Sequence, residues 1–132
     1  MIARTILKRD QGRSAMGQFM LLLHDDASED AELSAAEMQD IIARYRAWSQ
    51  KWRESGHLTG GEKLTDDPGR IIRSGAQGMI VSDGPYSETK DVIGGYFLIV
   101  AEDYAAAETI ARDCPHAQRG KPVEIRQIHT FD

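Results

Sequence analysis

The sequence predicts a single-domain α+β fold in which helices cover one face of an antiparallel sheet. Two segments, 18–24 and 92–101, have the composition of strands with apolar side chains on both faces. Each of these strands precedes an amphipathic segment with helix-start signals, at 34–55 and 103–114. The chain has 132 residues, of which 41% are hydrophobic and 28% charged, so it has room for one hydrophobic core.

The first strand and the first helix carry the clearest patterns. Every residue from 19 to 23 is apolar, so both faces of this strand need to be covered. Ser34, with Glu37 three residues later, forms a capping-box signature that predicts the start of a helix ending near Gly56. Its apolar residues recur every three or four positions and predict a core-facing stripe, formed by Met38, Ile41, Ile42, Tyr45, Trp48 and Trp52.

Several short strands follow at intervals set by turn residues. We predict them at His57–Leu64, Gly69–Arg73, Met79–Ser82, Val92–Ala101 and Val123–Ile128. The turn chemistry at 66–69 and 74–78 favours antiparallel hairpins. Gly94 and Gly95 indicate a bulge or a close backbone approach, and the one-sided alternation of 123–128 indicates a strand near the edge of the sheet.

The second helix is shorter. Asp103 can cap it, Pro115 is expected to stop it, and Cys114 is interpreted as a thiol in the core. Residues 1–17 show no strand or helix period after Leu7, so we treat them as an N-terminal extension of a domain that spans 18–132.

This order of elements matches a ferredoxin-like split βαβ plan with one added hairpin. Such a plan covers one sheet face with two helices and leaves the other face open. Since large exposed apolar faces are rare in soluble monomers, we expect a second copy of the chain to cover the open face.

Composition argues against several classes of function. The net charge is −5 with no block of like charges, so no nucleic-acid partner is expected. No apolar run approaches the length of a membrane span, and with a single cysteine the expected location is the cytoplasm. No phosphate-binding glycine loop, nucleophile elbow or set of zinc ligands is recognised, so no cofactor or metal is predicted.

Three stretches carry a resemblance to a known family: FMLLL at 19–23, GGEKL at 60–64, and DGPYSETK at 83–90, which leads into GGYFLI at 94–99. Together they resemble the YCII-related family, and the last stretch is similar to its DGPF branch, with Tyr86 in place of the usual Phe. The resemblance implies a dimeric α+β barrel, and relatives often encoded with or fused to extracytoplasmic-function sigma factors. Some relatives carry a proposed His–Asp pair with the histidine on the first helix, and residues 34–55 contain no histidine.

The loop that begins at Asp83 is the main candidate site. Pro85 and Gly84 make a stiff turn, and the polar residues after it are not needed for packing. We predict that a homodimer binds a small polar molecule near this loop, through Glu62, Asp83, Tyr86, Glu88 and Lys90. Whether the protein is an enzyme stays open at this point.

Two alternatives remain. The same loop could serve an interaction module that regulates an extracytoplasmic-function sigma factor. His24, which ends the first strand beside Asp25 and Asp26, could act with Asp83 as the general base of a small hydrolase or isomerase.

Overall fold

The computed structural model describes residues 16–25, 33–84 and 92–131 as a mixed α+β fold with three helices. The elements follow the predicted order: β1 (Gly17–Asp25), α1 (Ala35–Glu54), β2 (Leu58–Lys63), β3 (Arg70–Gly75), β4 (Gly78–Asp83), β5 (Val92–Ala101), α2 (Tyr104–Arg112), α3 (Pro115–Gln118) and β6 (Val123–Gln127). The short helix α3 was not predicted. Pro115 prevents α2 from continuing, as expected, but it also lies in the first turn of α3. A backbone N–H at that position would have no partner within the helix, so its absence from proline breaks no helical hydrogen bond.

The main sheet has four antiparallel strands in the order β2-β5-β1-β6. This is the order expected of the split βαβ plan, and β6 lies at an edge as predicted. Strands β3 and β4 form a separate two-stranded sheet between β2 and β5 in sequence. They are the added hairpin of the sequence prediction.

The core lies between the sheet and the helices α1 and α2. Phe19, Leu21 and Ile99 point from the two central strands and are almost completely buried. Trp48 of α1 packs on them, and small residues of α2 allow that helix to approach closely. Cys114 is fully buried beside them, which confirms its interpretation as a core thiol, and burial raises the pKa of this thiol.

Helix α1 begins at the predicted capping box. The Glu37 N–H donates to Ser34 Oγ, and the Ser34 N–H donates to Glu37 Oε1, each over 3.1 Å. These bonds lower the pKa of Glu37. The apolar stripe of α1 is only partly covered, because Met38 and Ile42 near its N-terminal end keep 38% and 44% of their surface exposed.

The sheet face opposite the helices is also apolar at its centre. Alternation along β1 and β5 places five half-buried side chains there: Met20, Leu22, Tyr96, Leu98 and Val100. Glu124 and Arg126 of β6 lie on the same face, which gives it a charged margin.

The β3–β4 hairpin exposes large apolar side chains. Four of them keep half or more of their surface in water: Ile72 (66%), Met79 (73%), Ile80 (50%) and Val81 (57%). Isolated two-stranded hairpins are marginally stable. We therefore expect the exposed apolar side chains of this hairpin to pack against a further surface.

The glycine pair of β5 lies at an irregularity in the sheet. The register between β1 and β5 shifts between Leu23 and His24, opposite Gly94. A Cβ atom at Gly95 would lie 2.9 Å from the Glu62 carbonyl oxygen, closer than a side chain tolerates. The bulge and the close backbone approach predicted from the two glycines are therefore confirmed.

Within the described ranges, no helix combines the length and the apolar composition needed to cross a membrane.

Candidate functional site

A large groove runs along α1, between that helix and the β2–β5 side of the sheet. Its volume is about 960 Å³, near the upper end of the range common for small-molecule sites. Apolar side chains form its walls: Leu23, Met38, Ile41, Ile42, Tyr45 and Phe97. The groove accounts for the incomplete burial of the α1 stripe, since these residues face it rather than a protein partner.

The rim of the groove is polar. Arg46 and Arg53 lie two helical turns apart on α1, and Glu62 and Lys63 of β2 contribute to the lining on the other side. Ser49, Gln50 and Glu54 complete the α1 side. The rim therefore offers both charge signs around an apolar interior.

One end of the groove is formed by a polar cluster at the end of β1. Lys121 Nζ donates to Asp25 Oδ1 over 2.7 Å, and the two side chains are only 8% and 19% exposed. Asp25 lines the groove, whereas the lysine lies behind it. Burial strengthens this attraction because few water molecules screen it.

His116, in the first turn of α3, belongs to the same end of the groove. Its Nε2 lies 2.7 Å from the backbone carbonyl oxygen of His24. The residue as a whole is only 4% exposed. Burial lowers the pKa of His116, partly opposed by its hydrogen bond and by Asp25. Burial therefore favours the neutral form of the imidazole.

Gly94 makes room for the cluster. A Cβ atom at this position would lie 3.2 Å from Asp25 Cβ and 3.3 Å from Asp25 Oδ2. A side chain on β5 would therefore push the Asp25 carboxylate away from its position beside Lys121.

The residues predicted from sequence are distributed over three places. Glu62 lines the groove. His24 is on the opposite face of β1, where its Nε2 lies 2.8 Å from Glu124 Oε1 and lowers the pKa of that carboxyl. Asp83 is the last residue of β4 in the separate hairpin. It is exposed, and it pairs with Arg70 of β3 across the hairpin. The structure thus brings neither His24 nor Asp83 to the groove with Glu62, and Tyr86, Glu88 and Lys90 lie outside the described residues.

Sequence reasoning missed Asp25, His116 and Lys121 as a cluster. Asp25 is separated by 96 positions from Lys121, and His116 by 92 from the carbonyl that it contacts. No local spacing links them. The single usable signal was the Gly94–Gly95 pair, which indicated that something approaches the backbone of β5.

In the described part of the chain, no group of three or more His, Cys, Asp or Glu side chains is arranged to hold a metal ion. The polar end of the groove presents the Asp25 carboxylate and the His116 imidazole, with the Lys121 ammonium behind the carboxylate. Such a set can bind a polar group by hydrogen bonds and can exchange a proton with it.

Comparisons with known proteins agree with the resemblance to the YCII-related family. The model of the YCII-related domain matches residues 18–132. An uncharacterised protein of Rhizobium meliloti (strain 1021) is 29% identical over 100 residues, which cover 75% of this chain and 81% of that protein.

Proposed function

Since the chain belongs to the YCII-related domain family, we propose that it is a member of the DGPF branch that binds a small molecule in the groove along α1. The observation that carries the proposal is the combination of a groove of about 960 Å³ with apolar walls and a buried polar cluster at one end. Pockets that bind small molecules typically have this composition.

The lining indicates the general character of the ligand. Met38, Ile42 and Phe97 favour a hydrocarbon or aromatic body, and Asp25 and His116 favour a polar group at one end of it. The ligand is thus more amphipathic than the small polar molecule expected from the sequence. A site at the 83–90 segment remains the alternative position.

The groove is tested by charging one of its walls. We expect Ile42→Glu to weaken any ligand found by thermal shift in a metabolite panel by at least about tenfold, because its carboxylate would have to be desolvated against the bound ligand. Ile42 is 44% exposed, so the substitution should leave the fold intact. Ala43→Glu is the matched control, since Ala43 is exposed next to it and does not line the groove.

The variants also separate the two positions for the site. A ligand that binds Ile42→Glu as tightly as the wild type, but that Asp83→Ala loses, would reject the groove in favour of the 83–90 segment. A ligand lost by both glutamate variants would indicate a general effect on α1 and would also contradict the proposal.

We further propose a homodimer in which the open sheet faces of two copies pack together as a dimeric α+β barrel. The support is the central apolar patch of Met20, Leu22, Tyr96, Leu98 and Val100 on the face that the helices do not cover. A second copy would bury this patch against an identical one.

Sedimentation tests the dimer. We expect the wild type to be dimeric at micromolar concentration and Leu98→Lys to be monomeric, because the variant would bury two unpaired ammonium groups at the interface. Met79→Lys serves as the control, since Met79 is an apolar residue of the hairpin and lies off the open face. Retention of the dimer by a folded Leu98→Lys variant, judged by circular dichroism, would contradict this interface.

The exposed hairpin favours a second candidate function, that of an interaction module for an extracytoplasmic-function sigma factor. Ile72, Met79 and Val81 would form the contact surface, since cross-strand pairing places them on one face of the hairpin. A purified sigma factor that binds the wild type and not Met79→Lys would support this candidate.

Chemistry at His24, the third alternative, would take place on the open sheet face. The buried free thiol of Cys114 is compatible with the cytoplasmic location proposed for all three.

A further inference from the structure

One nitrogen of the His116 side chain has no hydrogen-bond partner among the residues that the structure describes. We propose that Nδ1 of His116 is a base that faces the groove and accepts the proton of a ligand carrying an acidic hydroxyl, such as an electron-poor phenol or a stabilised enol. This inference rests on the proposed function, because it assigns a chemical class to the ligand of the same groove.

The hydrogen bond to β1 fixes the tautomer of His116. A backbone carbonyl oxygen can only accept, so Nε2 carries the hydrogen in its 2.7 Å contact with the His24 carbonyl. The neutral ring then has a lone pair on Nδ1. An imidazole held through one nitrogen by a backbone carbonyl is oriented to use its other nitrogen as an acceptor.

The position of Nδ1 follows from its lack of a partner. Among the described residues, the hydrogen bond found for the His116 side chain is the one that Nε2 makes. Over the same ranges, every side-chain nitrogen or oxygen that is buried from solvent has a hydrogen-bond partner. Since Nδ1 has no hydrogen-bond partner in this part of the chain, some of its surface is exposed, and His116 lines the groove.

The charges around His116 suit a base that stays neutral until a ligand arrives. Asp25 of β1 favours the protonated ring, whereas Lys121 and Arg119 oppose it. The largest influence is burial, which keeps the ring uncharged. A proton taken from a ligand would create an imidazolium beside the Asp25 carboxylate, and this carboxylate would stabilise it.

The proton transfer itself is balanced. The hydroxyl proton moves from the ligand oxygen to Nδ1, and the electron pair of the broken O–H bond stays on that oxygen. The ring then carries hydrogens on both nitrogens, and Nε2–H continues to donate to the His24 carbonyl. The product is an anionic ligand next to a cationic His116.

Two measurements on the wild-type protein test the base without a ligand. Nitrogen-15 spectra of the labelled protein should show a protonated Nε2 and an unprotonated Nδ1 for His116 at neutral pH. Diethyl pyrocarbonate should acylate His116, because the Nδ1 lone pair attacks a carbonyl carbon and expels ethyl carbonate, after which the ring loses the Nε2 proton to solvent. Exposed His129 is the positive control for the reagent. A proton on Nδ1, or an unmodified His116 in protein acylated at His129, would overturn the proposal.

A third measurement connects the base to the ligand. For a hydroxyl ligand found in the panel, affinity should fall about tenfold for each pH unit below the pKa of His116, because the protonated ring cannot accept. His116→Gln should remove this pH dependence, while its amide nitrogen reaches the position of Nε2 and keeps the bond to β1. A ligand that binds in the groove with the same pH profile in wild type and variant would refute the base and leave the groove valid. Acylation of His116 without any groove ligand would refute the proposed function alone.

Discussion

Replacement of Lys121 by methionine is expected to lower the free energy of unfolding by about 3 kcal/mol, near the lower end of the range for breaking a buried ion pair. Methionine keeps most of the length of the lysine stem, so the main loss is the ammonium that lies 2.7 Å from Asp25 Oδ1. The carboxylate would be left in a site where only 19% of the side chain is exposed. Urea unfolding measures the change.

An exposed ion pair provides the control. Lys51 Nζ lies 2.9 Å from Asp113 Oδ2, but the lysine side chain is 60% exposed. Lys51→Met should therefore cost less than about 1 kcal/mol. Adding Asp25→Asn to Lys121→Met should recover part of the lost stability, because a neutral amide costs less to bury than the carboxylate that has lost the Lys121 ammonium. Equal effects of the two lysine substitutions would show that the buried pair is no more important than the exposed one.

The largest loss of stability is expected from Trp48→Ala, at about 3–5 kcal/mol. Trp48 is 4% exposed, its ring centroid lies 4.7 Å from that of Phe97, and its Nε1 donates to the Ile110 carbonyl over 3.2 Å. It therefore joins α1, the sheet and α2 through a single side chain. Alanine leaves a cavity that the surrounding elements can fill only in part.

A smaller substitution separates packing from hydrogen bonding at Trp48. Trp48→Phe keeps most of the ring and loses the bond to Ile110, so a cost of about 1–3 kcal/mol is expected in the same urea experiment. Trp52→Phe is the matched control, because Trp52 is only half-buried and donates to the Asp113 carboxylate near the surface. A Trp48→Ala variant as stable as Trp52→Phe would contradict the central place of Trp48 in the core.

The fold could be predicted from sequence because its signals are local. The two-faced apolar run at 19–23 identifies a central strand, and Ser34 with Glu37 identifies the start of α1. The sequence predicts that Pro115 ends α2, but it does not predict that Pro115 also begins α3. Its effect on the preceding helix is local, whereas the helical turn that follows depends on contacts that bury Pro115 and His116.

The candidate site was harder to predict, because it depends on contacts between distant parts of the chain. Asp25 appeared in the sequence only as a neighbour of His24, and alternation along β1 sends the two side chains to opposite faces. His116 resembled a histidine in a turn. His116 lies near Asp25 because of the tertiary position of α3. The periodicity of the sequence does not predict that position.

The pairing of the central strands has a consequence for how the protein is made. In the register of β1 with β5, Gly17 lies opposite Ala101, and β6 adds to β1 only from Val123 onward. A nascent chain cannot form this sheet until most of the domain has left the ribosome. Until then, the apolar side of α1 has no sheet to pack on, and the β3–β4 hairpin is the sheet structure that can form locally. Folding of the core is therefore expected to be a late event in synthesis.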